Sequence, residues 1–192
     1  MTLPSEFDNA HFPLSRAFID EMRLLFVREC LGPGYLVCDV GNQGKDLPDL
    51  NGAKVVTLDI TASTHPDIVA DITRENSNIG VGRFDALMCT EVLEHVVDPV
   101  SAIREICRIV KPGGFILFTA PLNARIHGPV PDCWRFTEFG WKVLLRDFDT
   151  LHFRKLDTPG RNLFPLHYGA IVRNRSGSEE SDPRGLTFSR VD

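Results

Sequence analysis

Three aspartates, Asp39, Asp59 and Asp71, each stand where an apolar run gives out. An apolar run that stops at a carboxylate and breaks into glycines reads as a buried parallel strand whose C-terminal end opens into a ligand loop. The first such stretch is Tyr35-Leu36-Val37-Cys38-Asp39-Val40 followed by Gly41-Asn42-Gln43-Gly44. The next run, residues 54–58, delivers Asp59 twenty residues after Asp39, the spacing at which an α/β nucleotide fold sets a carboxylate on a ribose hydroxyl. A later run ends at Thr90 and Glu91, and His95 follows within one turn. Imidazole changes charge near neutral pH, which makes His95 a candidate base. His127 and Asp132 sit in a proline-rich segment after another apolar run, where a base would meet a second substrate. Each has a plainer reading: Asp59 and Asp71 as turn residues, His95 as a structural histidine, Asp85 as a cap early in its strand.

The elements that must hold these residues follow from periodicity. Pro13 opens a helix over residues 13–32 with Leu14, Phe18, Met22, Leu25 and Phe26 on one face, stopped by Gly32-Pro33-Gly34. Residues 45–51 contain Pro48, which limits any helix there to about two turns. Short strands are expected at 67–70 and 84–90. Asp98 and Pro99 then cap and start a helix with Val100, Ile103, Ile106, Cys107 and Val110 inward. Lys111-Pro112-Gly113-Gly114 stops it, and 115–120 is a fully apolar strand. Residues 121–137 form a lid or acceptor segment in which Trp134 and Arg135 either bind an acceptor or, the plainer reading, staple the lid to the sheet. Thr137 caps a helix bearing Trp141, Leu144, Leu145 and Phe148, and strands follow at 151–156 and 166–172. Strand, helix, strand alternation implies an α/β, Rossmann-like doubly wound sheet of about seven mostly parallel strands with helices on both faces. Residues 1–174 make one domain, and 175–192 a mobile tail too polar to repay ordering.

Composition narrows the function. With 192 residues, 43% of them hydrophobic, the chain holds one α/β domain with a full core. A formal charge of −5 disfavours nucleic acid and favours a small-molecule acceptor. The five cysteines are scattered without a Cys-x-x-Cys pair, so neither a disulfide framework nor a metal site is expected. No run is long enough for a membrane span, and a cytoplasmic, reducing compartment fits, with a homodimer left open. A pyrophosphate would be repelled by Asp39 and Asp46 on either side of the glycine loop, whereas a ligand bearing ammonium and sulfonium charges suits them. S-adenosylmethionine is such a ligand.

In order and spacing, Asp39-Val40-Gly41 through Gly44, Leu58-Asp59, His65 to Asp71, Phe84-Asp85-Ala86, Glu91-Val92-Leu93-Glu94-His95, Ile109 to Gly114 and Pro131-Asp132-Cys133-Trp134-Arg135-Phe136-Thr137 resemble a class I S-adenosylmethionine-dependent methyltransferase, small-molecule and methyltransferase type 11-like. The resemblance runs from about Leu36 to Phe148. It implies that Asp39, Gly41, Asn42 and Gly44 shape the methionine-end loop, with Asp39 near the ammonium group. It further implies that Asp59, with Ile60 beside it, meets the ribose, that Asp71 and Ile72 meet the adenine, and that Thr90 and Glu91 line the methionine side. Many members carry a small residue and a further glycine where this chain has Asn42 and Gln43. The last motif resembles a subgroup accompanying polysaccharide or secondary-metabolite pathways. The expected reaction is methyl transfer to an oxygen, rather than a nitrogen, of a sugar, lipid or secondary metabolite. Sulfonium is a good leaving group, so alignment and exclusion of water matter more than a fixed triad; His95, His127 and Asp132 are the candidate bases. The rivals are a non-catalytic methyltransferase-like module and an NAD-type oxidoreductase.

Overall fold

The computed structural model describes residues 5–45 and 47–175; the expected tail and Asp46 lie outside them, apart from Arg175. Seven strands, β1 (Leu36–Val40), β2 (Lys54–Asp59), β3 (Ile68–Val69), β4 (Phe84–Thr90), β5 (Val110–Pro121), β6 (Phe148–Asp157) and β7 (Pro165–Asn174), form one sheet in the order β3-β2-β1-β4-β5-β7-β6. Only β7 is antiparallel to its neighbours, β5 and β6. Helix α1 (Glu6–Cys30) covers one face, and α2 (Pro99–Ile109) and α3 (Glu138–Leu144) cover the other. Strand alternation divides the core accordingly. Val37, Ala86, Met88, Leu117 and Ile171 point to α1, and Cys38, Leu87, Cys89, Ile116 and Phe118 point to α2 and α3.

Helix α1 begins well before Pro13. Ser5 is its N-cap: the hydroxyl accepts from Asp8 N at 3.1 Å while the Asp8 carboxylate accepts from Ser5 N at 2.9 Å. This reciprocal box starts the helix, and Pro13, a tolerated interior residue, stands inside it. The helix buries Phe18, Ile19, Met22, Leu25, Phe26 and Cys30, but its first turns overhang the sheet, leaving Phe12 and Leu14 exposed. It lies close on β7 at Gly169, where a Cβ would come 2.9 Å from Met22 Cγ.

Among the described residues of the β1–β2 connection there is no helix at all. Pro48 and the turn in which Asp49 accepts from Gly52 N at 3.1 Å leave no room for one, and Leu47, Leu50 and Ala53 cover the α1 face instead. Strand β3 has two residues rather than the four expected. Helix α2 begins as read: Asp98 accepts from Ser101 N at 3.0 Å, with Pro99 as first residue. Its inward face differs in one position, since Val100 is exposed. The Lys111 to Gly114 stretch is drawn into the start of β5, because Asn174 Nδ2 takes up the freed carbonyls of Cys107 and Val110 at 2.9 and 2.8 Å. Thr137 caps α3 through Gly140 N. Asp85 is structural, accepting from Leu36 N at 2.9 Å and pairing with Lys111. No helix among the described residues is long and apolar enough to cross a membrane.

Candidate active site

Strand order reverses between β1 and β4, the point at which open α/β sheets leave a crevice at their C-terminal edge. The loop after β1 is cut to fit this crevice. Gly41 has φ +71°, and a Cβ there would sit 2.6 Å from Val92 Cγ2. Gln43 holds φ 56°, a left-handed conformation that glycine adopts more easily.

A cleft of about 660 Å³ opens over these strand ends, and Gly41, Asp59, Ile60, Asp71, Ile72 and Glu91 all line it. Four other expected cofactor residues stand behind it. Asp39 is 2% exposed and accepts from Asn42 Nδ2 at 2.8 Å, while the same amide donates to Lys45 O at 3.0 Å. Burial pushes the Asp39 carboxyl up, opposed by the Asn42 hydrogen bond and by Arg23 and Lys45. Thr90 accepts from Arg23 Nη2 at 2.7 Å, and a Cβ at Gly44, which has φ +69°, would come 3.3 Å from Thr64 O. The Asp39 and Asn42 side chains hold the loop in shape from beneath, and Thr90 ties β4 to α1. Asp59 and Asp71 combine both of their readings: each braces a turn, through Thr61 N at 2.8 Å and Thr73 N at 2.9 Å, and each lines the cleft.

A second cavity of about 470 Å³ lies between the first turns of α1 and the lid. Phe7, Phe12, Arg16, Lys45, Arg125, His127 and His167 are among its walls. The two cavities share Gln43, Glu91, His95, Gly128 and Pro129. Of the three candidate bases, His95 faces both cavities and His127 faces the second. Asp132 lines neither. Its carboxylate accepts from Arg135 Nη2 at 2.7 Å and from His127 N at 2.9 Å. The Arg135 guanidinium holds its pKa down to about 2. Asp132 therefore stays ionised and orients His127, whose Nδ1 is 3.2 Å away. Trp134 Nε1 donates to Val96 O at 2.9 Å, and its ring stacks on Phe136, so the lid is pinned down beside the cleft.

Several contacts in or beside these walls could not be read from the sequence, and His167, Arg16 and Arg125 drew no attention there. Glu91, at φ 57°, accepts from Thr119 Oγ1 at 2.8 Å and from His167 Nε2 at 2.9 Å. Burial opposes its charge, but the His167 imidazole prevails and its pKa is lowered. Nothing local marks His167 in a strand, because its partner is 76 positions away. Glu94 is wholly buried, and neither carboxylate oxygen has a hydrogen-bond partner among the described residues. Burial and then the Glu91 charge push its carboxyl well up. The His95 and His127 rings meet edge to face at 5.0 Å. Arg16, Lys45 and Arg125 stand in the walls of the second cavity against the carboxylates of Asp8 and Glu91; for Lys45, its place beside the loop was the available signal.

A family profile described as a methyltransferase domain matches residues 38–118. The chain is 31% identical over 192 residues to a ubiquinone biosynthesis O-methyltransferase of Pseudomonas paraeruginosa, covering 89% of this chain and 76% of that protein. To the protein of the same name from Alkalilimnicola ehrlichii it is 33% identical over 146 residues, 67% of this chain, and the match spans only 57% of that relative's length. The crystal structure of the [4+2]-cyclase SpnF superposes with a TM-score of 0.63 at 17% identity, over 82% of this chain and 81% of the other; at that identity the likeness speaks for the fold alone. Sheet order, crevice and relatives agree, and the chain belongs to the class I S-adenosylmethionine-dependent methyltransferase family.

Proposed function

We propose that this protein moves the methyl group of S-adenosylmethionine to an oxygen of a small-molecule acceptor held under the lid. The observation that carries this reading is the shared wall: a carboxylate-lined cleft and a second cavity meet at Glu91 and His95. The residues present suit the cofactor. Asp59 would accept from the ribose hydroxyls, the apolar Ile72 beside Asp71 suits the adenine, and Glu91 favours the cationic methionyl end. When bound, S-adenosylmethionine supplies an activated methyl group on sulfonium. The protein's own work is alignment and exclusion of water, done by the lid residues Gly128 and Pro129 at the junction. His95 and His127 stand where an acceptor hydroxyl would shed its proton. The relatives named as O-methyltransferases support oxygen as the acceptor atom. Five free cysteines support a reducing, cytoplasmic setting.

Calorimetric titration with S-adenosylhomocysteine tests the reading. Saturable one-to-one binding, with none comparable for NAD, is expected. Failure to bind S-adenosylhomocysteine would favour a non-catalytic module, the reading to which the left-handed Gln43 in the loop lends its support.

A further inference from the structure

Glu94 poses a physical problem that the methyltransferase reading leaves unsolved. Its carboxylate is fully enclosed, beside the charge of Glu91, with no hydrogen bond to either oxygen among the described residues. A buried carboxylate without a partner is costly, and such groups are normally paired or bound to a metal. Two imidazoles stand next to it. One ligand atom each from Glu94, His95 and His127 lie within 4.8 Å of one another, and His95 Nε2 is 3.8 Å from Glu94 Oε1. That separation is about right for two ligands of one cation with bonds near 2.0–2.2 Å.

The outer partners of both histidines point the same way. His95 Nδ1 donates to Pro131 O at 3.0 Å, and His127 Nδ1 lies 3.2 Å from the Asp132 carboxylate, itself gripped by Arg135. A metal-binding histidine characteristically gives its second nitrogen to a carbonyl or carboxylate, which fixes the tautomer and leaves the other lone pair free. Here both imidazoles have Nδ1 so engaged, which leaves Nε2 as the ligand atom.

We propose that Glu94, His95 and His127 form a binding site for a divalent first-row transition cation in the wall between the two cavities. Two nitrogens and one carboxylate oxygen suit zinc, manganese, iron or cobalt better than magnesium or calcium, which favour all-oxygen sets. The cysteine pattern that spoke against a metal does not bear on this set, which contains none. Three protein ligands leave coordination positions open, and His95 and His127 face the acceptor cavity. The role of the cation, though not the site itself, rests on the methyltransferase reading. With the cation bound, His95 and His127 would act as its ligands and not as the base, and an acceptor hydroxyl at an open position would lose its proton to solvent more readily. Its oxygen then bonds to the methyl carbon as the carbon–sulfur bond breaks, and the electron pair stays on sulfur.

The test uses the full chain, stripped with a chelator and titrated with cobalt(II), whose visible spectrum reports nitrogen and oxygen ligation. One equivalent should bind, and His127→Ala and Glu94→Gln should each weaken binding at least tenfold. His127 is on the lid and Glu94→Gln keeps the side chain's shape, so circular dichroism and S-adenosylhomocysteine titration should show both variants folded and cofactor-competent. Absence of stoichiometric cobalt binding in the unmodified protein, or binding unaltered in folded His127→Ala, overturns the proposal. Because S-adenosylhomocysteine binding is read separately, its loss would count against the methyltransferase reading and not against the metal site.

Discussion

Asp59 tests the cofactor cleft at the scale of one residue. Asp59→Ala removes a carboxylate that faces the cleft, and the loss of a hydrogen bond to a charged group is worth roughly 1.5–3 kcal/mol. S-adenosylhomocysteine affinity should fall by about ten- to 150-fold in calorimetry; an unchanged affinity would remove Asp59 from the site. Asp132 carries a different prediction. Its folded pKa, about 2, lies below the usual carboxylate value because of Arg135. Its contribution is therefore complete above about pH 4, near the ordinary aspartate pKa, and is lost as pH falls toward 2. Asp132→Asn should flatten that part of the stability curve, measured by denaturant unfolding from pH 5 downward. Glu94 has the opposite sign. A carboxyl raised by burial costs stability as pH rises from the unfolded value near 4.3 toward its folded value. In metal-free protein, Glu94→Gln should be more stable than the parent at neutral pH and less sensitive to pH, and a destabilised Glu94→Gln would contradict this account of the burial.

At the scale of elements, α1 does two jobs. Its second half packs on β5 and β7, whereas its first turns stand clear of the sheet and wall the acceptor cavity with Phe7, Phe12 and Arg16. Phe12→Ala should raise the acceptor KM severalfold while S-adenosylhomocysteine affinity and melting temperature stay put, since Phe12 is 65% exposed. A parallel loss of cofactor affinity would mean that the two cavities are not separate in function. This helix also shows where sequence reading stops. The apolar stripe from Phe18 to Phe26 was legible because 3.6-residue periodicity reports burial directly. Its start was not, since Pro13 looked like a first residue and the Ser5–Asp8 box lies upstream of any apolar stripe. The missing β1–β2 helix was half legible: Pro48 announced a short element, but only tertiary packing shows that Leu47 and Leu50 do the covering alone.

Across the whole molecule, the parallel sheet and its ligand edge could be read because the runs of the first four strands end at or beside a marked residue: Asp39, Asp59, Asp71 or Thr90. Six of the expected cofactor residues line one cleft. Of the other four, Asp39 and Asn42 brace the loop and Thr90 is held by Arg23; a glycine-and-aspartate motif does not reveal which side of the backbone each side chain takes. Pairings across long stretches, such as Glu91 with His167 and Arg23 with Thr90, depend on strand order and leave no local trace. The convergence of two cavities on one wall is thus a property of the fold rather than of any motif. A crystal structure of the protein soaked with S-adenosylhomocysteine measures it most directly. The account predicts the adenosyl group between Asp59 and Ile72, with the sulfur turned toward His95 and the neighbouring cavity. A ligand bound away from these strand ends, or a sulfur turned from His95 into the sheet, would contradict it.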